Sequence, residues 1–82
     1  MTIYFITRKN DPDGLIKIGY SADVPKRMDQ LNCSAPGGMD LLATCPGGFE
    51  LETFLHRKFS SANVGGEWFS RSKALVSLID AI

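Results

Sequence analysis

Arg27 is a charged residue in a segment whose hydrophobic spacing predicts a helix packed on a core. Residues three and four positions apart share one helix face, which places Arg27 at the edge of the stripe formed by Val24, Met28 and Leu31. One interpretation is that its aliphatic stem covers the core while the guanidinium stays in water. The other is a fixed cation for phosphate, because guanidinium offers planar bidentate donors that stay charged. The sequence leaves both open.

Glu52 and His56 are one helical turn apart in a later periodic segment, and both border its apolar stripe. Glu52 has Leu55, His56 and Phe59 at positions i+3, i+4 and i+7. The two polar residues are either a surface pair worth roughly 0.2–0.5 kcal/mol or a functional pair. In the second case Glu52 is an oxygen ligand for Mg²⁺, which keeps several waters and needs few protein ligands. His56 is then a group that orients Glu52 or exchanges a proton, rather than a structural histidine.

Tyr4 and Lys17 lie in two β-type segments, where side chains alternate between the faces of a sheet. Alternation groups Tyr4 with Ile6, and it groups Lys17 with Gly19. A strand tyrosine is ordinarily an amphipathic core residue, whereas a strand lysine is ordinary only at an exposed edge. If Tyr4 and Lys17 project from adjacent strands on one face, their phenol and amine are able to position a water molecule.

The first part of the scaffold for these side chains is predicted to be a β-hairpin followed by a helix. Residues 2–7 are β-branched or aromatic, residues 11–14 have turn chemistry, and residues 15–20 are again of β type. Ser21 or Asp23 is suited to cap a helix that has Pro25 in its first turn and ends at about Asn32.

The second part of the scaffold is predicted to be a strand and two helices. Residues 34–38 read as a loop, residues 39–45 as a third strand and residues 46–48 as a break. Residues 49–59 form a helix whose stripe has helical spacing: Leu51, Phe54, Leu55 and Phe59. Residues 60–66 are a polar return, and Glu67 after it is a cap or ion-pair partner.

The last residues complete the predicted core. Trp68 and Phe69 are expected to fill it, and Ser70 to cap a final helix. The stripe of that helix is Leu75, Leu78, Ile79 and Ile82. The expected fold is α/β of the α+β type, with a small three-stranded, mainly antiparallel sheet flanked by helices in the order ββαβα(α).

Length and composition predict one domain over residues 1–82, either minimal or trimmed from a longer chain. The 82 residues are 44% hydrophobic and 22% charged, and their formal net charge of +0 argues against binding a polyanion through bulk charge. Two cysteines, Cys33 and Cys45, are too few for a secreted disulfide scaffold and are expected to be small buried residues. We therefore expect a cytoplasmic protein without a leader or a membrane span.

Several short motifs, taken in order, resemble the GIY-YIG endonuclease superfamily. They are Thr2-Ile3-Tyr4, Lys17-Ile18-Gly19, Arg27 eight residues after that glycine, and Glu52 on a later helix. Three longer motifs look like the compact branch of meiotically up-regulated or phage-type GIY-YIG domains: Lys17-Ile18-Gly19-Tyr20-Ser21, Glu52-x-x-Leu55-His56-x-x-Phe59 and Gly66-Glu67-Trp68-Phe69. The resemblance extends from Thr2 to about Phe69. Thr2 stands where a glycine is usual, and Lys17 replaces a tyrosine.

The resemblance implies a fold, an activity and a cofactor. The fold is a small sheet flanked by helices, and the activity is hydrolysis of DNA by one-step attack of water, with Mg²⁺ or Mn²⁺ as the cofactor. By position, the resemblance implies catalytic roles for Tyr4, Lys17, Arg27 and His56, and metal binding by Glu52. Many members of the superfamily have an asparagine late in the domain, and Asn63 is the candidate for it in this sequence.

DNA is the expected partner, and a nucleoid association is expected if the source is a bacterium or phage. The residues expected to contact nucleic acid are Lys9, Tyr20, Lys26, Arg57 and Lys58. A neutral domain this small must gather such cations on one surface. The alternative is a catalytically weak or inactive module that binds nucleic acid or a protein partner. A third possibility is that a homodimer or an additional domain supplies DNA affinity that this unit lacks.

Overall fold

The protein is described by a computed structural model over residues 1–11, 14–34 and 37–82. Its elements, in chain order, are β1 (Thr2–Arg8), β2 (Ile16–Ser21), α1 (Val24–Ser34), β3 (Met39–Pro46), α2 (Phe49–Lys58), a 3₁₀ turn (Ser60–Ala62), β4 (Asn63–Gly65), β5 (Trp68–Phe69) and α3 (Lys73–Ala81). The strands form one sheet in the order β3-β1-β2-β5-β4, and each neighbouring pair is antiparallel. The α+β class and the antiparallel sheet are therefore as predicted.

The prediction of a three-stranded sheet is wrong, because the sheet has five strands. The two additional strands, β4 and β5, are only three and two residues long. A period of two residues is not detectable in segments this short. The polar segment predicted as a simple return thus contains β4, and the apolar pair Trp68 and Phe69 forms β5 beside β2.

The sheet separates two apolar clusters, as alternation along β1 and β2 predicts. On one face, Ile3, Phe5 and their neighbours from β2 and β5 pack with residues of α2 and α3. On the other face, Tyr4, Ile6 and Met39 pack with a stripe of α1: Val24, Met28 and Leu31. The predicted stripe of α1 is confirmed, and this packing fixes α1 beside the Tyr4 face.

The helix caps follow the side-chain chemistry, although one lies two residues later than predicted. Asp23 caps α1, because the backbone N–H of Lys26 donates to Asp23 Oδ1 at 3.1 Å. Ser72 caps α3, since the N–H of Leu75 donates to Ser72 Oγ at 3.3 Å. The prediction that Ser70 caps this helix is wrong. The backbone N–H of Ser70 donates to Ala62 O at 2.7 Å, so Ser70 extends the pairing of β4 with β5.

Three apolar side chains are more exposed than their predicted positions require. Phe54 is 51% exposed because the buried line of α2 runs through Leu55 and Phe59 instead. Ile82 is 49% exposed because α3 ends before it. Cys33 is exposed and Cys45 is half-buried, so the prediction of two buried cysteines is wrong for Cys33 and holds only in part for Cys45.

Element boundaries differ from the predictions by one or two residues. α1 ends at Ser34 rather than Asn32, β3 includes Pro46, and α2 ends at Lys58 rather than Phe59. Residues 12 and 13 of the predicted turn and residues 35 and 36 of the predicted loop lie outside the described residues. In the described part of the chain, none of the helices has the length and apolarity needed to cross a membrane.

Candidate functional site

Tyr4 and Lys17 project from the same face of the sheet, the arrangement that the sequence had left open. In the β1–β2 ladder Tyr4 is opposite Gly19 and Ile6 is opposite Lys17, so all four side-chain positions share one face. Tyr4 is only 2% exposed and packs in the cluster covered by α1. Its phenol therefore has a fixed position between the sheet and α1.

A cleft of about 500 Å³ opens beside the Tyr4 phenol. It brings together three of the predicted site residues, because Tyr4 from β1, Arg27 from α1 and Glu52 from α2 all line it. Lys26 and Tyr20, both predicted to contact nucleic acid, line the same cleft, as does Glu67. Arg27 is an exposed residue, so its guanidinium can reach a ligand while its stem borders the apolar stripe of α1.

Glu52, His56 and Glu67 form a cluster of metal-binding side chains at the edge of this cleft. One potential ligand atom from each residue lies within 4.8 Å of the other two, and all three residues are half-buried. Carboxylate oxygen suits Mg²⁺ and Mn²⁺, and imidazole nitrogen suits several first-row transition metals. The donor set therefore fits a divalent cation.

The Glu52 carboxyl is perturbed by its environment. Burial raises the pKa of Glu52 above its usual value, and the negative charge of Glu67 together with a side-chain hydrogen bond to Glu67 raises it further. His56 and Lys17 act in the opposite direction. Two carboxyl groups held this close repel each other when both are ionised. A cation or a shared proton relieves that repulsion.

His56 is held in one orientation by the sheet. Its Nε2 lies 3.0 Å from the carbonyl oxygen of Ile18, and its ring makes an edge contact with Phe69 at 5.0 Å between centroids. A carbonyl oxygen only accepts, so Nε2 carries the proton and donates. In the neutral ring the lone pair is then on Nδ1. These contacts are those of a structural histidine, and they leave Nδ1 oriented next to the carboxyl pair.

Lys17 is connected to the cluster through Glu67. Its Nζ lies 3.7 Å from Glu67 Oε2, and its side chain is only 17% exposed. The ammonium also lies 5.9 Å from the centroid of the Trp68 ring, and the guanidinium carbon of Arg8 lies 4.7 Å from that ring. Lys17 is therefore a partly buried cation beside the carboxyl pair. It does not occupy an exposed edge of the sheet, because β2 is an inner strand.

The phenol of Tyr4 is influenced by the same charges. Burial raises the pKa of Tyr4 above its usual value, and the negative charge of Glu67 raises it further. Arg27 lowers the Tyr4 pKa, and Glu52 contributes a smaller increase. The hydroxyl is therefore protonated at neutral pH and acts through hydrogen bonds.

A second cleft of about 390 Å³ is lined by Glu52, which also lines the first cleft, and by His56. Arg57, Ser60 and Asn63 line it together with those two residues. The side-chain amide of Asn63 has a structural role, because its Nδ2 donates to Gly66 O at 2.9 Å and to Trp68 O at 3.1 Å. Its side chain thereby braces the turn that carries Glu67.

Two predicted nucleic-acid contacts are not brought to these clefts. Lys9 lies just beyond β1, with its Nζ 4.0 Å from Asp40 Oδ1. Lys58 lies 6.0 Å from the centroid of the Phe59 ring at the end of α2. Neither residue lines either of the two clefts described here, whereas Lys26, Tyr20 and Arg57 do.

Glu67 is the site residue that the sequence analysis missed. It was expected to be a cap or ion-pair partner, and it does pair with Lys17, but it also lines the first cleft and completes the cluster with Glu52 and His56. A signal was present in the sequence, because Glu67 follows Gly65 and Gly66 and precedes an apolar pair. Both glycines have positive φ values, +140° and +55°, which mark a tight turn that presents the next side chain.

Comparison with known proteins identifies a family. A protein-family model described as the T5orf172 domain matches residues 1–82. Because the match covers all 82 residues, the chain belongs to the T5orf172 domain family. This family is named differently from the GIY-YIG superfamily, so the GIY-YIG resemblance stays a prediction. Neither a curated protein nor a solved structure gives a significant match.

Proposed function

We propose that this domain is a divalent-metal-dependent endonuclease that hydrolyses a DNA phosphodiester bond by one-step attack of water. The observation that carries the proposal is that Tyr4, Arg27 and Glu52, from three different elements, line one cleft. The resemblance of their motifs to the GIY-YIG superfamily supports the same chemistry. The family match gives a domain name and no activity, so the proposal depends on the site itself.

Arg27 is the group that holds the phosphate. The described residues contain no ion pair of Arg27, and its side chain is exposed toward the cleft. A guanidinium binds two nonbridging oxygens at once and stays charged at any physiological pH. Negative charge grows on those oxygens as water attacks, so the interaction strengthens in the transition state.

Tyr4 and Lys17 position the attacking water. The Tyr4 hydroxyl is protonated at neutral pH because its pKa is raised, so it positions the water through hydrogen bonding, with its oxygen as an acceptor. Lys17 lies two residues from the cross-strand partner of Tyr4 and adds positive charge beside this end of the cleft. His56, which the resemblance counts among the catalytic residues, is oriented by Ile18 and borders Glu52.

Glu52 is the proposed metal ligand. It lines both clefts and belongs to the cluster whose donor atoms fit a divalent cation. When bound, Mg²⁺ or Mn²⁺ supplies Lewis-acid stabilisation of the leaving 3′ oxygen. The raised pKa of Glu52 reflects burial and repulsion from Glu67, which a cation would relieve.

The DNA strand is proposed to run along the two clefts. Lys26 and Tyr20 would contact it in the first cleft and Arg57 in the second, while Lys9 and Lys58 would contact flanking DNA. The net charge of +0 predicts weak binding by the isolated domain, so a second copy or an additional domain would strengthen it.

Plasmid nicking tests the proposal. Supercoiled plasmid is incubated with the wild type, Glu52→Ala and Arg27→Ala in Mg²⁺, in Mn²⁺ and in chelator, with Glu50→Ala as a control on the same helix. We expect metal-dependent nicking by the wild type and the control, and a loss of about a hundredfold to a thousandfold in either site variant. Salt-dependent binding without nicking would favour the non-cutting module.

A further inference from the structure

We propose that the cation is held by three side chains, Glu52, Glu67 and the Nδ1 atom of His56, and that this mixed site prefers Mn²⁺ to Mg²⁺. The role of the cation in hydrolysis rests on the proposed function, whereas its binding does not. The inference adds two ligands to Glu52 and selects the class of metal. Three observations on the described residues carry it.

The first observation is the convergence of unlike donors from separate parts of the chain. Glu52 and His56 project from one face of α2, and Glu67 projects from the turn between β4 and β5. One ligand atom from each lies within 4.8 Å of the others, a separation that small side-chain rotations close around one ion. The set comprises two carboxylates and an imidazole, so it differs from a surface group of acidic residues.

The second observation is that the backbone of Ile18 forms hydrogen bonds with two of the three proposed ligand residues. The N–H of Ile18 donates to Glu67 O at 3.0 Å, and the carbonyl oxygen of Ile18 accepts from His56 Nε2 at 3.0 Å. Metal-binding histidines commonly donate their other ring N–H to a backbone carbonyl, which fixes the tautomer and the ring orientation. The Ile18 contact gives His56 this arrangement, with Nδ1 left as the ligand atom.

The third observation is the bracing of Glu67. Asn63 Nδ2 spans the turn by donating to Gly66 O and Trp68 O, the carbonyls on either side of Glu67. Lys17 Nζ lies 3.7 Å from Glu67 Oε2 and restrains the side chain as well. A turn fixed on both sides presents its carboxylate in a defined direction, as a ligand requires.

The donor set selects the metal. Mg²⁺ is normally bound by carboxylates, phosphates and several waters, and a nitrogen ligand contributes little to its binding. Imidazole suits first-row transition metals, and carboxylates suit Mn²⁺ as well as Mg²⁺. Two carboxylates plus one imidazole therefore favour Mn²⁺ over Mg²⁺.

Metal binding without DNA tests the inference. Mn²⁺ binding to the wild-type domain is measured by the loss of the free-ion electron paramagnetic resonance signal, with Mg²⁺ as competitor. The variants are Glu67→Gln and His56→Gln, and the control is Glu50→Gln, an exposed carboxylate in the first turn of α2. We expect the Kd for Mn²⁺ to rise at least about tenfold in both variants and to be unchanged in the control. In the wild type, the Kd for Mn²⁺ should be lower than the Kd for Mg²⁺.

Two results would overturn the inference. One is an unchanged Mn²⁺ affinity in Glu67→Gln. This substitution keeps the shape of the side chain, so it tests the three-ligand site even if His56→Gln fails to fold. The other is Mg²⁺ displacing Mn²⁺ at equal concentration. If the expected binding pattern is found but the wild type does not nick DNA in Mn²⁺, the site stands and the proposed nuclease function fails. If DNA is nicked while Glu67→Gln binds Mn²⁺ normally, only the three-ligand site fails.

Discussion

The ring of Tyr4 lies across Gly19, its partner in the β1–β2 ladder. A Cβ atom at position 19 would lie 2.5 Å from Cζ and 3.0 Å from Cε1 of Tyr4, closer than carbon atoms pack in proteins. Gly19 is not among the glycines with positive φ, so its backbone conformation is open to other residues. Glycine is required at this position by the space that the tyrosine ring occupies.

Gly19→Ala is therefore expected to displace the Tyr4 ring and to destabilise the domain by about 1–3 kcal/mol, the usual cost of overpacking a rigid site. Urea denaturation followed by circular dichroism measures this change. In a Tyr4→Ala background the same substitution should cost much less, because the ring is gone. Equal costs in the two backgrounds would show that the steric explanation is wrong.

Arg27→Lys is expected to recover only part of the nicking that Arg27→Ala loses. Lysine keeps the charge, but it lacks the planar pair of donors that a phosphate engages. Initial rates of plasmid nicking at saturating DNA measure the difference. Lys73→Ala is the matched control, because Lys73 is an exposed cation at the start of α3 and lines neither cleft. Full activity of Arg27→Lys would mean that charge alone is needed.

Glu52→Gln is expected to raise the melting temperature of the metal-free domain at pH 7. The pKa of Glu52 is raised in the folded state, so the folded protein binds more protons than the unfolded chain between the unfolded and folded pKa values. Stability therefore falls as pH rises through that window, and glutamine removes the loss. The gain should disappear near pH 4, where the carboxyl is largely protonated in both states.

Glu50→Gln is the control for this measurement. Glu50 is also in the first turn of α2, where a negative charge interacts favourably with the helix dipole. Its removal should leave the melting temperature unchanged or slightly lower. A stabilisation as large as that of Glu52→Gln would show that the effect is general to the helix terminus and does not come from the burial of Glu52 and its contact with Glu67.

The two cysteines are expected to react at different rates with a thiol reagent such as dithionitrobenzoate. Cys33 is exposed, whereas Cys45 is half-buried on β3. Burial raises the pKa of the Cys45 thiol above its usual value, so less of the reactive thiolate is present at a given pH. Cys33→Ser should remove the fast phase, and the slow phase should accelerate as pH rises. A single phase in the wild type would contradict the prediction.

The sequence was sufficient to predict the parts of the site that depend on regular periodicity. Alternation grouped Tyr4 with Ile6 and Lys17 with Gly19, and the register of β1 and β2 puts both pairs on one face, which the sequence had left open. Helical spacing placed Arg27 beside the core stripe of α1 and paired Glu52 with His56 on α2. The spacings within each strand and helix are local, because each depends only on the geometry of one element, whereas the shared face of Tyr4 and Lys17 also depends on the strand register.

The contribution of Glu67 was not predictable in the same way. Glu67 reaches the site because β5 pairs with β2, and a strand of two residues has no period to read. Its position depends on the bond from the Ile18 N–H, which is a tertiary contact, and on the bracing by Asn63, which is local to the turn. The sequence showed the residue and its glycine turn, but not the partner strand that carries the turn to the cleft.

The sheet order also determines when the site can exist during folding. β1 and β2 form a local hairpin, but β5 joins β2 only after α1, β3 and α2 have been synthesised between them. Such a long-range pairing is slow relative to hairpin closure, since a long loop must close first. A chain that has formed only the β1–β2 hairpin therefore has Tyr4 opposite Gly19 without Glu67 beside it. The complete arrangement of charges is restricted to molecules that have finished folding.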